Sequence, residues 1–402
     1  MNDMNEMPTR VKIRVSLLTG GMDSPYALGL LSGLILKPIV VDVIGNDEMK
    51  DQELMRNEKV TYYNLRGDQD PNSPLMTKVV RLLKYYFMLL YYAAKTDSKI
   101  FHILWLNKFT SFDRTILNLY YKLVGKKLIY TAHNVNSGER DGTDSVMNRL
   151  SLRFLYKIVD HIFVHTGKMK EQLVCEYGIN GQRITVIPFG INNTLPRSQT
   201  TSIEAREKLA LDTKERVILF FGNIAPYKGL DILVRALAEL KKKGTVPRLV
   251  IAGKVKESKW ISHWESIERV IEEHGLTGHI VRKIEYIPDD EVEFYCKAAD
   301  VLILPYRHIF QSGVLFLAYS FGLPVIAADV GSLRDDIIEG KTGFVFRAEN
   351  SADLAEKITK YFDGDLYKNL EAHREMIMRY ANETYSWQRV GEATYAVYTG
   401  LR

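Results

Sequence analysis

Short β-branched and aliphatic runs alternate with helical periodicity along the whole chain. Strands are predicted at Val11–Leu18, Ile39–Ile44, Val60–Asn64, Lys99–Leu104, Lys127–Thr131, His161–His165 and Ile184–Ile187. Between most of them apolar positions recur at helical spacing, which predicts helices at Ser24–Leu36, Leu75–Lys95, Phe112–Val124 and Met147–Val159. Polar, irregular sequence follows from Asn192 to Thr201, and then the series begins again. Its strands are predicted at Arg216–Phe221, Arg248–Ala252, Ile280–Ile287, Val301–Leu304 and Pro324–Ala327, its helices at Gly229–Lys243, Trp260–Glu273, Asp289–Ala299 and Gly313–Phe321. Such alternation is the mark of parallel sheets covered by helices. One architecture thus occurs twice, joined near residues 190–202, and two doubly wound α/β domains are expected. Ligands of open parallel sheets bind beyond the carboxyl ends of the strands, so the site is sought in a cleft where two such domains face each other.

Bulk numbers narrow the function classes. A chain of 402 residues exceeds what one hydrophobic core serves, and 46% hydrophobic with 26% charged residues is ordinary for a folded protein. The net charge of +5 falls short of the clustered basic runs of a nucleic-acid binder, so no nucleic-acid partner is expected. It is as compatible with a plain solvated surface as with phosphorylated ligands or an anionic lipid surface. Cys175 and Cys296 stand alone, without metal-ligand spacing, which points away from a disulfide scaffold and toward a reducing compartment. The N-terminal Met1–Met7 carries acidic residues and no apolar core of a signal peptide. The longest near-apolar stretch, Tyr85–Ala94, is far below the roughly 20 residues that span a bilayer. A cytoplasmic protein is expected, either free or peripheral on the inner face of the membrane.

Two stretches carry chemistry. Gly222-Asn-Ile-Ala-Pro-Tyr-Lys228-Gly229 follows an apolar strand and precedes an amphipathic helix. Its first glycine lets a ligand approach the backbone, and its lysine can reach a phosphate. Alone, Gly-x5-Lys reads more simply as a strand–helix turn with a surface lysine. The second stretch, Leu304-Pro-Tyr-Arg-His-Ile-Phe-Gln-Ser312-Gly313, shifts the balance. Ser312 fits an N-cap, and the helix opening at Gly313 presents about half a positive charge to an anion. Lysine and helix end together form a clamp for one diphosphate.

Three further motifs complete a resemblance: Val301-Leu-Ile-Leu-Pro305, Phe321-Gly-Leu-Pro-Val-Ile326 with Asp329-Val-Gly331, and Gly340-Lys-Thr-Gly343-Phe. With Gly222–Gly229, Val186-Ile-Pro-Phe-Gly190-Ile-Asn and the segment from Ser386-Trp387, they resemble the retaining GT-B glycosyltransferases of the family-4 type (glycosyl transferases group 1). The likeness covers nearly the whole chain and is strongest from residue 184. It implies two Rossmann-like domains facing across a cleft: an acceptor-side domain at 1–190, a donor-side domain at 191–380, and a helix at 381–402 that returns to the first. It also implies a nucleotide-diphosphate-sugar donor, a glycan or lipid-linked acceptor and a role in polysaccharide assembly.

Residue roles follow from the same resemblance. Lys228 matches the lysine that holds the donor diphosphate, and the backbone of Ser312, Gly313, Val314 and Leu315 matches the loop and helix end that bind the distal phosphate. His133, in Tyr130-Thr-Ala-His-Asn134, matches the N-domain histidine beside the transferred sugar, and a satisfied loop histidine is its rival reading. Gly20-Gly21 matches the glycine loop near donor and acceptor, with a plain turn equally open. The base is expected near Gly253, Lys254 and Ile287, though Lys254 also reads as an ordinary surface residue.

Two departures stand out. The family's arginine after the first glycine is Asn223 here, which supplies no charge. Its two glutamates, eight apart, fall on Ile309 (or His308) and Leu317, neither acidic, so Arg307, Gln311 and Ser312 are the nearby polar candidates. Front-face transfer, in which the leaving diphosphate helps deprotonate the acceptor, still requires only phosphate-charge stabilisation. A catalytically silent GT-B partner and a GT-B sugar-nucleotide epimerase remain the alternatives. The Asp68-Gln-Asp70 and Asp363-Gly-Asp365 triplets lie in polar loops taken as distant from the cleft, and no metal is expected to be required. Finally, Lys78, Arg81, Tyr85, Met88, Tyr92 and Lys95 recur at helical spacing, a basic aromatic stripe suited to a membrane interface or to a partly buried helix with snorkelling lysines.

Overall fold

Strands covered on both faces need apolar side chains on both, and the central strands here have them. The computed structural model describes residues 13–70, 72–140, 144–191 and 198–401. The Met1–Met7 segment, the first two residues of the predicted Val11 strand and positions 192–197 of the joining segment lie outside the described residues. The first sheet contains β1 (Ile13–Leu18), β2 (Ile39–Gly45), β3 (Val60–Asn64), β4 (Ile100–Ile103), β5 (Lys127–Ala132), β6 (His161–Val164) and β7 (Ile184–Val186). All are parallel, in the order β3-β2-β1-β4-β5-β6-β7. The second contains β8 (Val217–Phe221), β9 (Arg248–Ala252), β10 (Ile280–Lys283), β11 (Val301–Leu304), β12 (Val325–Ala328) and β13 (Gly343–Phe346), also all parallel, ordered β10-β9-β8-β11-β12-β13. In each sheet the order reverses beside its first strand, the switch point where loops part and a ligand fits.

The chain divides into two units, one running to Gly190 and resuming at Trp387, the other Ile191–Ser386. The resumption is a glycine-lined joint. A Cβ on Gly29 would lie 1.9 Å from the Trp387 ring, one on Gly33 2.0 Å from the Trp387 carbonyl, and one on Gly391 2.4 Å from the Gly33 backbone. Without side chains there, the helices Ser24–Leu34 and Trp387–Gly400 approach backbone to backbone. Tyr398 then reaches His102 in β4, its hydroxyl 2.6 Å from Nδ1.

Several expectations change. The strand predicted over Ile280–Ile287 stops at Lys283, because β10 is an edge strand and Glu285 and Tyr286 turn to solvent. Ile287 is thus a buried loop residue. The helix predicted over Asp289–Ala299 is shorter, Val292–Ala298. β13 was not predicted as a strand: four residues led by a glycine carry too little periodicity, and its pairing with β12 makes it one.

The helix Leu75–Lys95 forms with the predicted bounds, but the aromatic members of its stripe face inward. Tyr85 and Tyr92 are buried. The Tyr92 hydroxyl donates to Asp42 Oδ2 at 2.7 Å and meets Ser16 Oγ at 2.7 Å, while Arg14 holds the same buried carboxylate at 3.1 and 2.8 Å. A tyrosine buries its ring where its hydroxyl finds a partner, and the polar interior of this sheet supplies several. The aliphatic side of the helix is left outward.

Candidate functional site

The loop after β8 and the loop after β11 meet at Lys228. Gly222 has φ +103°, and a Cβ on it would lie 3.7 Å from Val314 Cγ2. Gly253, at the end of β9, approaches so closely that a Cβ there would sit 2.1 Å from the Gly222 carbonyl. Gly229, φ +67°, would likewise strike the Pro305 carbonyl at 1.8 Å. Gly253 and Gly229 therefore let the strand-end loops converge where a side chain would clash, and Gly222 supplies a positive φ that favours glycine.

Lys228 lies in that convergence, 8% exposed. Its ammonium donates to the Tyr306 hydroxyl at 2.8 Å and stands 4.0 Å from the centre of that ring. The Tyr306 hydroxyl in turn is 3.3 Å from Ser312 Oγ. A hydrogen-bonded chain thus joins the lysine to the residue that opens the helix Gly313–Ser320. Ser312 occupies the N-cap position but makes no side-chain capping bond, because its hydroxyl faces Tyr306 instead. The first-turn N–H groups of Gly313 and Val314 have no carbonyl partner within the helix, whereas the Leu315 N–H turns back to the Ser312 carbonyl at 3.0 Å.

Arg307 is engaged otherwise than expected. Its guanidinium forks onto Asp231 at 2.8 and 2.7 Å and donates to the Pro226 carbonyl at 2.7 Å, and its backbone N–H reaches the Tyr227 carbonyl at 2.8 Å. It holds the loop carrying Lys228 in place. Gln311 donates from Nε2 to Asp336 Oδ2 at 2.7 Å, and its Oε1 is buried without a hydrogen-bond partner among the described residues. The Tyr385 hydroxyl donates to the other oxygen of Asp336 at 3.0 Å. Burial raises the Asp336 carboxyl to about 7 against the pull of these donors. Asn223 and Lys254 are exposed, the Lys254 ammonium 5.7 Å from the Tyr286 ring. Leu317 is buried, as its apolar side chain requires.

In the other unit, His133 follows the end of β5 inside an aromatic cluster. Its ring stacks on Trp105 at 4.1 Å, meets the edge of Tyr26 at 4.7 Å, and its Nδ1 is 3.2 Å from His165 Nε2. Burial, and then His165, hold its pKa well below the ordinary value, so the imidazole is neutral. Gly20 and Gly21 have φ +61° and +67°. A Cβ on Gly20 would lie 2.7 Å from the Trp105 carbonyl, and one on Gly21 2.6 Å from the Gln69 amide.

The last contact corrects an expectation, since the Asp68–Asp70 loop lies beside Gly21. In a 3-2-1 strand order the carboxyl ends of β1 and β3 open on the same edge, a neighbourhood that only the pairing reveals. A cavity of about 460 Å³ opens there, lined by Arg66, Lys78, Arg81 and Lys108 against Asp68 and Asp70. Asp68 pairs with Arg81 at 2.6 Å. Asp365 pairs with His373 at 3.1 Å. Among the described residues no three His, Cys, Asp or Glu side chains gather as a metal would need.

Sequence reasoning singled out Lys228 and His133 but not their immediate partners. Tyr306 sits inside a quoted motif, yet only the approach of the two loops shows what its hydroxyl does. Trp105, His165, Asp231 and Asp336 left no signal, because each matters through a neighbour remote in the chain.

Residues 201–383 match the family model described as Glycosyl transferases group 1, and residues 26–195 the one described as Glycosyltransferase Family 4. The D-inositol 3-phosphate glycosyltransferase of Nocardia farcinica is 29% identical over 282 residues, 68% of this chain and 61% of the relative. That of Acidothermus cellulolyticus is 30% identical over 259 residues, 61% of this chain and 56% of the relative. The matched region therefore falls well short of the full length of either relative. Among solved structures, the sucrose-phosphate synthase of Thermosynechococcus elongatus superposes with a TM-score of 0.74 at 16% identity, over 97% of this chain and 99% of that one. Anabaena HepE in complex with UDP-glucose gives 0.71 at 15% identity, over 96% and 99%. At such identities the likeness is one of fold.

Proposed function

Because the chain belongs to the group 1 glycosyltransferases, we propose that it transfers a sugar from a nucleotide-diphosphate-sugar to an acceptor hydroxyl, with retention at the anomeric carbon. The observation that carries this reading is the chain from Lys228 through Tyr306 to Ser312 beside the opening of the Gly313 helix. An ammonium and a helix N-terminus joined in this way suit one diphosphate. On leaving, the diphosphate gains negative charge, and Lys228 with the first-turn N–H groups of Gly313 and Val314 stabilises it. An oxygen of the same diphosphate accepts the acceptor's proton, so no protein carboxylate is needed in the place of the family's glutamates. Gly222 and Gly253 leave room for the nucleotide, whose base lies near Lys254 and Ile287. Gln311, turned by Asp336, offers its unpartnered Oε1 to a sugar hydroxyl. In the other unit His133, neutral and stacked on Trp105, offers a ligand hydroxyl a single hydrogen bond and no charge.

On the acceptor side, the cavity beside Gly21 suits an anionic acceptor. Its four cations outnumber its two carboxylates, one of which Arg81 already pairs. The names of the curated relatives, which specify D-inositol 3-phosphate, support a phosphate-bearing acceptor, and a phosphate-linked lipid or glycan has the same chemistry.

A panel of nucleotide sugars, each with and without phosphorylated acceptors, tests the reading through nucleotide release, with the anomeric configuration of the product read by NMR. Acceptor-dependent release from one donor with retention is expected. Inversion would remove the retaining mechanism. Donor binding with no release under any acceptor would make the chain a silent GT-B partner, the reading that Asn223 and the missing carboxylates favour.

A further inference from the structure

Among the described residues, nineteen large hydrophobic side chains are exposed on the unit that runs to Gly190, and all but four fall between Leu75 and Phe154. Three helices carry most of them: Leu75–Lys95, the helical run from Thr110 to Leu123, and Val146–Ile158. Each precedes a strand on the same side of the switch point (β4, β5 and β6), and right-handed crossovers place all three on one face of the sheet. They are neighbours there. Tyr86 meets the rings of Phe109 and Phe112, the Tyr120 hydroxyl donates to the Leu90 carbonyl at 3.0 Å, and Arg114 donates to Ser151 at 3.1 Å.

On the first helix Leu83, Phe87 and Tyr91 recur every fourth residue and are 62%, 71% and 61% exposed. On the second and third, Ile116 and Leu123, then Met147 and Leu150, are equally bare, and a shallow apolar depression joins Ile116 to Met147 and Leu150. Contiguous apolar surface of this kind marks a docking face.

Charge identifies the occupant. The three helices hold one acidic residue, Asp113, which is buried against the Tyr86 hydroxyl at 2.9 Å. Their exposed cations include Lys84, Lys95, Arg153 and Lys157, none of them in an ion pair among the described residues. An isologous pairing of two such faces would set cations against cations, whereas an anionic bilayer complements both the apolar rows and the basic flanks. We infer that this three-helix face docks on anionic lipid, the apolar rows entering the headgroup boundary. The surface is the opposite side of the helix from the stripe read in the sequence. It does not depend on the transferase reading.

Flotation with vesicles of phosphatidylcholine alone and of phosphatidylcholine with phosphatidylglycerol tests it on the full chain. Binding is expected to the anionic vesicles, to weaken at high salt, and to fall by about tenfold or more in the double variant L83E/F87E. Both positions are solvent-exposed, so circular dichroism and nucleotide-sugar binding are expected to stay as in the parent. Equal binding to both vesicles, no binding to either, or a variant that floats like the parent would overturn the inference. So would a dimer in light scattering that L83E/F87E dissolves, since the face would then belong to a second copy.

Discussion

Lys228 donates to the Tyr306 hydroxyl beside the opening of the Gly313 helix. An ammonium at that place adds a charged hydrogen bond to a bound diphosphate. Lys228→Ala is therefore expected to weaken donor binding by about 10- to 100-fold, the worth of a charged hydrogen bond, and to lower turnover with it. Calorimetry and nucleotide release measure the two, and an unaffected variant would remove the assignment. Asp336 offers a pH-dependent test. Its folded-state value of about 7 exceeds the ordinary 3.8. Above pH 3.8 the unfolded chain releases this proton while the folded chain retains it, so the contribution present below 3.8 is lost as the pH rises to 7. The loss is about 1.4 kcal/mol for each pH unit. Asp336→Asn, which cannot ionise, is expected to show a smaller fall in melting temperature than the parent over that range. Equal falls would mean that the carboxyl is ionised throughout.

Among the elements, the contact of Ser24–Leu34 with Trp387–Gly400 is the most exacting, because its spacing is set by absent side chains. Gly33→Ala would place a methyl 2.0 Å from the Trp387 carbonyl and force the helices apart. A loss of about 1–3 kcal/mol is expected, as for overpacking, visible in urea melts. Gly278→Ala meets nothing within 4 Å and is the control, expected to shift stability by less than about 0.5 kcal/mol. Helix bounds such as Leu75–Lys95 were legible in the sequence because apolar periodicity is local. Which side of that helix faces inward was not legible, since Tyr92 is directed by Asp42 and Ser16, some fifty and seventy-six positions away. The Asp68–Asp70 loop was misplaced for the same reason, its neighbour Gly21 being supplied by sheet order.

At the scale of the whole molecule, diphosphate binding by lysine and helix end predicts catalysis independent of divalent cations. Turnover is expected to be unchanged by a chelator, and loss of activity restored by magnesium or manganese would contradict that. A nucleoside diphosphate at a hundred times its dissociation constant is expected to stabilise the folded chain by about 2.7 kcal/mol, read as a rise in melting temperature that shrinks in Lys228→Ala. No helix among the described residues is long and apolar enough to cross a membrane. Two parallel sheets, all of their strands along the chain except β13, and the glycines that end β8 and β9 were determined by the sequence alone, because periodicity and positive-φ demands act over a few residues. The partner of Lys228, the commitment of Arg307 to Asp231 and the outward side of the Leu75–Lys95 helix were decided only by tertiary structure. Each depends on which distant groups the sheets bring within hydrogen-bonding reach, and local pattern carries no record of that.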